Sequence, residues 1–159
     1  RQQLREGAPV LRWRQKGGSQ AEAIGVSRGG RTTKIHALVD VLGRPLRLAL
    51  TPGNTSDLKG ADLLLGDAVR CKRLIADRGY DANRLRQTLR AQGTTPVIPG
   101  RRNRKRPIQY DQRRYKDRWR VEAMFCRLKD FRRIATRYDK LARNYLSAVA
   151  LAAAIAFWL

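Results

Sequence analysis

Apolar residues in the first two thirds of the chain fall in short runs separated by glycine, proline and polar residues. Lys34–Val41 and Leu46–Thr51 are rich in apolar residues, and Gly43–Pro45 between them has the composition of a tight turn. This pattern predicts a β-hairpin. Arg73–Ala76 and Thr95–Ile98 are short apolar runs of the kind that forms buried strands. The pattern therefore predicts four strands after residue 33, of which the first two are adjacent.

Helical patterns follow the hairpin and fill the C-terminal half. Asp57–Val69 follows a polar loop, and Ala82–Gln92 has Asp81 as a candidate N-cap. The longest predicted helix covers Gln112–Arg133. The apolar run Tyr145–Leu159 is shorter than the roughly 20 residues that a membrane span needs, so we expect a buried closing helix. The order of elements predicts an α/β fold in which helices cover a mixed sheet.

A polar stripe follows the longest predicted helix. Because a helix turns about 100° per residue, the motif Y-x2-R-x3-E-x6-K places its four side chains within roughly 60° of one another. These are Tyr115, Arg118, Glu122 and Lys129. The apolar positions of the opposite face are Val121, Met124, Leu128 and Phe131. A single acid among cations, on the face that is free of the core, suggests a metal ligand beside a phosphate-rich substrate.

The charge of the chain points to a polyanionic partner. Its 159 residues include 35 Lys and Arg against 13 Asp and Glu, a net charge of +22. Nucleic acid is the first candidate for such a chain, and an anionic membrane surface or a ribosomal role are the alternatives. Cys71 and Cys126 lie far apart and His36 is the one histidine, so a disulfide scaffold and a zinc finger are both disfavoured.

A basic loop precedes the longest helix. It contains five cations, Arg101, Arg102, Arg104, Lys105 and Arg106. Residues 101–140 as a whole carry 16 Lys and Arg against 5 Asp and Glu, which is half of the net excess in a quarter of the chain. We expect the loop to contact phosphates without reading sequence, the alternative being a solvated loop without a partner.

Asp77 is the second acid that the pattern singles out. It ends a predicted buried strand, and functional side chains are commonly found at the carboxyl ends of such strands. Gly79 lets the backbone turn sharply just after it. The alternative is that Asp77 caps the next helix, although Asp81 suits that role. For Glu122 the alternative is a solvated i,i+4 pair with Arg118. Together the two acids would suit Mg²⁺ beside phosphate oxygens.

Four segments carry a resemblance to a known family. They are Ser27–His36 (SRGGRTTKIH), Leu74–Asp81 (LIADRGYD), the Y-x2-R-x3-E-x6-K helix and Arg133–Lys140 (RIATRYDK). They resemble bacterial insertion-sequence transposases of the DDE class, from about Lys16 to Leu159. The resemblance implies a ribonuclease-H-like fold and an Asp-Asp-Glu triad that holds two divalent metal ions, Mg²⁺ or Mn²⁺. Asp77 matches the second Asp of that triad, and Glu122 matches the Glu.

The resemblance also implies partners and a reaction. The reaction is cleavage and strand transfer on double-stranded DNA, at transposon ends and at a target, by a protein of the bacterial cytoplasm that forms a homodimer on DNA and needs no membrane. Tyr115, Arg118 and Lys129 match the family signature that contacts DNA near the active site. Lys34 lies on a predicted strand face that could point toward DNA, together with His36, for which packing within the strand is the alternative. Trp119 and Phe125 are candidates for base stacking or for the core.

The chain departs from the family at its N-terminus. The first Asp of the triad lies on a central strand upstream of Lys16–Gly18, and residues 1–15 contain no Asp. Glu6 lies in a poor context, and turn formation accounts for Asp40. We therefore expect residues 1–33 to form an irregular basic segment, with only Pro9–Trp13 as a possible short strand. Residues 34–159 would form an incomplete catalytic domain that lacks the first central strand. A catalytically inactive DNA-binding remnant is the alternative function.

Overall fold

The computed structural model describes residues 21–27, 30–65 and 71–159. The strands are β1 (Gly25–Ser27), β2 (Gly30–Val39), β3 (Pro45–Pro52), β4 (Arg73–Ile75) and β5 (Thr95–Val97). The helices are α1 (Asp57–Leu65), α2 (Asn83–Ala91), α3 (Gln112–Tyr115), α4 (Trp119–Lys129), α5 (Arg132–Ala135) and α6 (Ala142–Phe157). Two 3₁₀ turns, Arg78–Tyr80 and Lys116–Arg118, precede α2 and α4. The predicted strand Pro9–Trp13 and the predicted end of the first helix near Val69 lie outside the described residues.

The predicted hairpin is confirmed. β2 and β3 pair antiparallel, with Ile35 opposite Leu50 and a bulge between Leu38 and Val39. The Asp40 carboxylate accepts hydrogen bonds from the backbone N–H groups of Leu42 and Arg44, at 2.8 and 2.9 Å, and so closes the turn. Asp40 therefore serves the turn, as expected from its position.

The N-terminal part of the hairpin differs from the prediction. β2 begins at Gly30, four residues before Lys34, and its first residues pair with β1. The described part of residues 1–33 therefore contains regular strand structure and is not irregular. β2 begins with Gly30 at φ of 93°, a conformation that glycine adopts readily and that alternation alone does not reveal.

The expected mixed sheet is divided in two. β1, β2 and β3 form one antiparallel sheet, and β4 and β5 form a separate parallel pair. In the part of the chain that the structure describes, no strand is hydrogen-bonded between β2 and β4. The α/β class is confirmed, whereas the single sheet is not observed.

The single long helix predicted over residues 112–133 is wrong. Asp111 caps α3, which ends at Tyr115, and a 3₁₀ turn separates it from α4. The extended backbone of Phe131, with ψ of 105°, then divides α4 from α5. Phe131 packs against the core from this position, so burial of its ring favours the break. Tyr115 is consequently not on the same helix as Glu122 and Lys129.

Two hydrophobic cores lie on either side of the break between the sheets. The larger consists of Met124, Leu128, Ile134, Tyr145, Val149, Ala152 and Ala153, with apolar residues of β2 and β3 packed against it. The smaller consists of Ala61, Leu85, Leu89 and Ile98. The C-terminal run forms the expected closing helix α6. One side of this helix, with Tyr145 and Val149, is buried, and the other, with Leu151 and Ile155, is exposed. Among the described residues no helix has the length and apolar character needed to cross a membrane.

Truncation of the larger core tests this packing. Leu128 is 0% exposed, so Leu128→Ala should lower the free energy of unfolding by about 2–5 kcal/mol through lost burial and a cavity. Leu42→Ala removes the same atoms from a side chain that is 65% exposed, and should change stability by less than about 0.5 kcal/mol. Urea unfolding followed by circular dichroism measures both. Equal losses in the two variants would contradict the assigned core.

Candidate active site

A cleft of about 340 Å³ separates β2 from β4 and is closed at its sides by α1 and α4. Five charged side chains line it, and together they define the carboxylate cleft. They are Lys34, Asp57, Asp77, Arg118 and Glu122. Apolar side chains of both hydrophobic cores, such as Ile35 and Leu74, form its floor. The structure therefore brings the two acids that the sequence singled out into one cavity.

Asp77 lies directly after β4 and has two environments. Its Oδ1 accepts a hydrogen bond from the Gly79 backbone N–H at 2.7 Å and caps the 3₁₀ turn. Its Oδ2 lies 3.9 Å from Nη1 of Arg118. The capping role, which was the alternative for Asp77, is therefore observed, but it uses one oxygen and leaves the other facing the cleft.

Glu122 and Asp77 share the guanidinium of Arg118. Nη2 of Arg118 donates to Oε1 of Glu122, in the i,i+4 relation that was the alternative for this acid. The pair is not simply solvated, because Arg118 is 33% exposed and contacts Asp77 from the same guanidinium. A positive group thus occupies the space between two carboxylates, which is where a cation is most favoured electrostatically.

Asp57 is a third acid of the cleft, and the sequence reasoning missed it. It begins α1, and its Oδ1 accepts a hydrogen bond from Nζ of Lys34 at 2.8 Å. A Cβ on Gly79 would lie 2.6 Å from Oδ2 of Asp57 and 2.9 Å from Oδ1 of Asp77, so both carboxylates flank this glycine. The sequence does not single out Asp57 as a site residue, because Asp is common at helix starts and a capping role accounts for it.

Two hydrogen bonds hold the side chain of Lys34 at the cleft. Besides Asp57, its Nζ donates to the Thr55 carbonyl oxygen at 2.8 Å. The side chain is 36% exposed, so it combines fixed contacts with access to solvent. The strand position of Lys34 therefore places a cation at the mouth of the cleft, beside the acids.

The donor set of the cleft fits a divalent ion only in part. Asp77 and Glu122 are about half exposed, at 46% and 59%, which leaves room for water and phosphate oxygens as further ligands. Within the described ranges, however, no group of three or more His, Cys, Asp or Glu side chains is placed to hold a metal ion. Two carboxylate donors are the number that Mg²⁺ commonly takes from a protein.

A buried hydrogen-bond chain supports the turn after Asp77. His36 Nε2 lies 2.7 Å from Oγ1 of Thr51, and Nδ1 lies 3.3 Å from the Tyr80 hydroxyl. Burial lowers the pKa of His36, and burial together with the charges of Asp57 and Asp77 raises the pKa of Tyr80 to about 12. Both groups therefore stay uncharged near neutrality, and His36 is the packed strand histidine that was the alternative to a DNA contact.

The glycine at position 60 makes room for this histidine. A Cβ on Gly60 would lie 2.2 Å from Nδ1 of His36, closer than atoms can approach. The ring of His36 can therefore pack against α1 only because Gly60 has no side chain. This contact fixes the distance between α1 and β2 and with it one wall of the carboxylate cleft.

Asp81 is not the N-cap that the sequence predicts. Ala82 occupies the N-cap position of α2, and the Asp81 carboxylate instead points into the protein with 0% exposure. It accepts hydrogen bonds from Arg86 at 2.9 and 3.0 Å, from Arg104 at 2.5 and 2.8 Å and from the Arg101 backbone N–H at 2.8 Å. The carboxylate is drawn inward because two guanidinium groups outweigh one N-cap hydrogen bond.

The ionised form of Asp81 is strongly favoured. Burial alone would raise the pKa of this carboxyl, but hydrogen bonds from Arg104, from the Arg101 backbone and from Arg86 lower it to about 2. Asp81 therefore remains negative at any physiological pH. It joins the turn after Asp77, helix α2 and the start of the basic loop through one buried charge.

The basic loop divides into two kinds of cation. Arg101 donates to the carbonyl oxygens of Arg78 and Gly79, at 3.3 and 3.0 Å, and Arg104 is bound to Asp81. These two arginines hold the loop against the turn that follows Asp77. Arg102, Lys105 and Arg106 are exposed, as is Arg101 despite its two hydrogen bonds, whereas Arg104 is half-buried.

Two members of the polar stripe lie apart from the cleft. Tyr115 ends α3 and packs edge-on against Tyr110, with ring centroids 5.4 Å apart, and it does not line the cleft. Lys129 is exposed at the end of α4 and does not line the cleft either. Trp119 is 57% exposed, whereas Phe125 packs against the larger core and lines the cleft.

An α/β fold with paired carboxylates in a cleft, on a strongly basic chain, is typical of enzymes that transfer phosphoryl groups of nucleic acids. Residues 8–157 match the family model described as the transposase DDE domain. The chain therefore belongs to the DDE transposase family, and this membership gives it a DNA transposase function in general terms. No solved structure matches the chain.

Two curated relatives carry the same kind of name. The chain is 39% identical over 132 residues to a transposase of insertion sequence element IS6501 from Brucella ovis, covering 80% of this chain and 98% of that protein. It is 32% identical over 138 residues to a transposase of insertion sequence element IS402 from Burkholderia cepacia. This second match covers 79% of the chain and 63% of the relative, so the chain spans less than two thirds of that protein.

The buried charge of Asp81 gives a prediction for stability and its pH dependence. Asp81→Asn leaves Arg86, whose side chain is 4% exposed, without its counter-charge and should cost about 3–5 kcal/mol. Because the folded pKa of Asp81 is depressed to about 2, the difference between wild type and variant should be complete above pH 4 or so and shrink as the pH falls toward 2.

Urea unfolding at a series of pH values measures this difference. Asp62→Asn is the matched control, since Asp62 pairs with Arg84 at the surface with side chains 47% and 68% exposed and should cost less than about 1 kcal/mol. A stability difference for Asp81→Asn that grows as the pH is lowered would contradict the assignment of a depressed pKa.

Proposed function

We propose that this chain is the catalytic domain of an insertion-sequence transposase that cleaves DNA at the ends of its element and joins them to target DNA. The observation that carries the proposal is the position of Asp77 and Glu122, which lie in one cleft and share the guanidinium of Arg118. These two acids come from motifs 45 residues apart in the chain. Arg118 and Glu122 are neighbours on one helix, but the contact of Arg118 with Asp77 joins distant segments and brings both acids to one cation.

Asp77 and Glu122 are the residues that would hold divalent metal, Mg²⁺ or Mn²⁺. When bound, the metal would supply activation of the attacking hydroxyl and stabilisation of the leaving oxygen. Asp77 would present its Oδ2, because Oδ1 is held by the Gly79 N–H. Arg118 would turn from the carboxylates toward the phosphate as the substrate enters, since a phosphate oxygen is an equally good bidentate partner.

Lys34 has a second electrostatic role in this proposal. Its ammonium group is kept at the mouth of the cleft by Asp57 and the Thr55 carbonyl. A phosphate that approached Asp77 would meet this positive charge at a fixed position, which offsets its repulsion by the carboxylates. Lys34 would thus orient the DNA backbone while Tyr80 keeps the neighbouring turn in place.

We further propose that the fold is ribonuclease-H-like and that one more strand belongs between β2 and β4. The cleft is lined by residues 35–38 of β2 on one side and by residues 74–77, the end of β4 and the two residues after it, on the other. A strand in this position would join the antiparallel and parallel sheets into one mixed sheet. It would also bring the first acid of the family triad next to Asp77, where the described residues offer Asp57 already paired with Lys34.

Contacts with double-stranded DNA would come from the exposed cations. Arg102, Lys105 and Arg106 project from the basic loop, and Lys129 lies at the end of α4. Arg101 and Arg104 would act indirectly, by holding the loop, because their guanidinium groups bind protein oxygens. Two chains of charge +22 repel each other in free solution. A homodimer would therefore form only on DNA, whose phosphates offset this repulsion.

A catalytically inactive DNA-binding remnant is the second candidate. It is favoured by one observation, that the described residues contain no three-ligand metal group. In this case the basic surface would bind DNA, and Arg118 would remain as a permanent counter-charge for Asp77 and Glu122.

Nicking of a supercoiled plasmid in the presence of Mn²⁺ separates the two candidates. An active wild-type chain should lose more than about 100-fold of its rate in Asp77→Asn and Glu122→Gln, because each removes a metal ligand but keeps the shape of the side chain. Asp62→Asn is the control, since Asp62 pairs with Arg84 at the surface of α1 and does not line the cleft. Absence of nicking by the wild type, with DNA binding intact, would support the inactive remnant.

The salt dependence of duplex binding tests the basic loop. Each phosphate contact that is removed should reduce the slope of log K against log salt by roughly 0.9. The triple variant of Arg102, Lys105 and Arg106 to Gln should therefore flatten the slope by up to about 2.7 while leaving thermal stability unchanged. Arg104→Gln should instead lower thermal stability, because it removes one of the two guanidinium partners of buried Asp81. A triple variant with the wild-type slope would rule out phosphate contacts by the loop.

A further inference from the structure

Large apolar side chains are exposed around the turn of the β2–β3 hairpin. Two tryptophans lie at this end of the molecule, Trp119 at 57% and Trp158 at 50% exposure. We define the tryptophan surface by these two rings and the hairpin turn, residues 41–46. The turn adds Val41, Leu42 and Leu46, which are 82%, 65% and 54% exposed. Exposed apolar groups gathered at one place mark a binding surface more often than scattered ones do.

The parts of the tryptophan surface are in contact with each other. Nε1 of Trp158 donates to the Pro45 carbonyl oxygen at 3.2 Å. On the other side of the turn, a Cβ on Gly43 would lie 3.4 Å from Cβ of Arg120, the residue after Trp119. The hairpin turn therefore lies against the beginning of α4 and the end of α6, and the tryptophans flank it.

Each tryptophan carries an arginine on its ring. The guanidinium carbon of Arg44 lies 4.5 Å from the ring centroid of Trp158, and that of Arg120 lies 5.4 Å from the ring of Trp119. Asp40 and Asp117 pair with these arginines at 2.7 and 3.7 Å. The guanidinium groups are therefore held in place beside the rings, although part of their charge is balanced.

Flat rings beside fixed guanidinium groups form the chemistry that binds unpaired nucleotides. Bases stack on aromatic faces whatever their sequence, and arginine adds a partner for the phosphate. Trp and Arg are also enriched in protein interfaces. A second copy of this chain is nevertheless disfavoured as the occupant, because it would bring two chains of charge +22 together through surfaces that both contain arginine.

We propose that the tryptophan surface binds an unpaired DNA strand by stacking bases on Trp119 and Trp158. This proposal rests on the proposed function, in which DNA is the substrate, and adds a site outside the carboxylate cleft. Arg118 faces Asp77 and Glu122 in the cleft, and the next residue, Trp119, is exposed outside it. Trp119 therefore places an exposed ring one residue from a cleft residue.

Tryptophan fluorescence offers a direct test. Trp13, Trp119 and Trp158 are the three tryptophans of the chain, so Trp13→Phe leaves only the two rings of the surface as strong emitters. Titration of this variant with a short single-stranded oligothymidylate should quench its emission, because stacked bases quench indole. Trp119→Ala and Trp158→Ala should each weaken binding of the same oligonucleotide by about five-fold or more, measured by fluorescence anisotropy of a labelled strand.

The controls separate stacking from charge and from folding. Arg90→Gln removes one exposed positive charge from α2, away from this surface, and should weaken single-strand and duplex binding by the same small factor. Trp119→Phe keeps an aromatic ring and should restore most of the affinity that Trp119→Ala loses. A merely structural role of Trp119 would weaken duplex and single-strand binding together, whereas stacking weakens the single strand alone.

The outcomes distinguish this proposal from the proposed function. A chain that binds duplex but shows neither quenching nor loss on tryptophan removal contradicts the tryptophan surface and leaves the transposase function standing. A chain that binds the single strand through both tryptophans but does not nick plasmid supports the surface and contradicts only catalysis. Self-association that disappears in Trp119→Ala, seen by sedimentation without DNA, would assign the surface to a second copy and overturn the proposal.

Discussion

The turn that presents Asp77 depends on the buried charge of Asp81. Its carboxylate lies out of water and binds two guanidinium groups and one backbone N–H. One of these guanidinium groups and the N–H belong to the basic loop, which also donates to the carbonyl oxygens of the turn. The charge thereby connects the turn after Asp77 with the basic loop, across 20 residues of chain. In a protein with so great an excess of positive charge, a buried acid with this many donors offsets the repulsion among the arginines around it.

Local structure was readily predicted from the sequence, and long-range arrangement was not. The hairpin, the two short parallel strands and the closing helix α6 follow from alternation, apolar runs and turn residues. The prediction of one long helix from residue 112 was wrong because its stripe is regular, whereas the structure has a 3₁₀ turn at Lys116–Arg118 and an extended residue at Phe131. Periodicity reports which face is apolar. It does not report where tertiary contacts favour an extended residue within that pattern.

The charged residues of the candidate site could be predicted from the sequence only in part. Asp77 and Glu122 could be predicted because motif and strand-end position both single them out. Asp57 and the inward direction of Asp81 could not, because each has a commonplace local role and each has a partner, Lys34 or Arg104, that lies 23 residues away. Composition alone predicts the same role for Arg101, Arg104 and Arg102. Their difference is one of geometry, since Arg101 reaches a carbonyl oxygen of the turn after Asp77 and Arg104 reaches the Asp81 carboxylate.

The absence of a side chain at Gly60 has a consequence for how this domain can diverge. The imidazole of His36 fills the space in which a Cβ at position 60 would stand, so the two positions share one fixed volume. A larger residue at 60 would be tolerated only with a smaller one at 36, and then the Tyr80 hydroxyl and Thr51 would both lose their partner. The two positions should therefore vary together or not at all among related sequences. This pair of positions would thus record the packing distance between α1 and β2 at one wall of the carboxylate cleft.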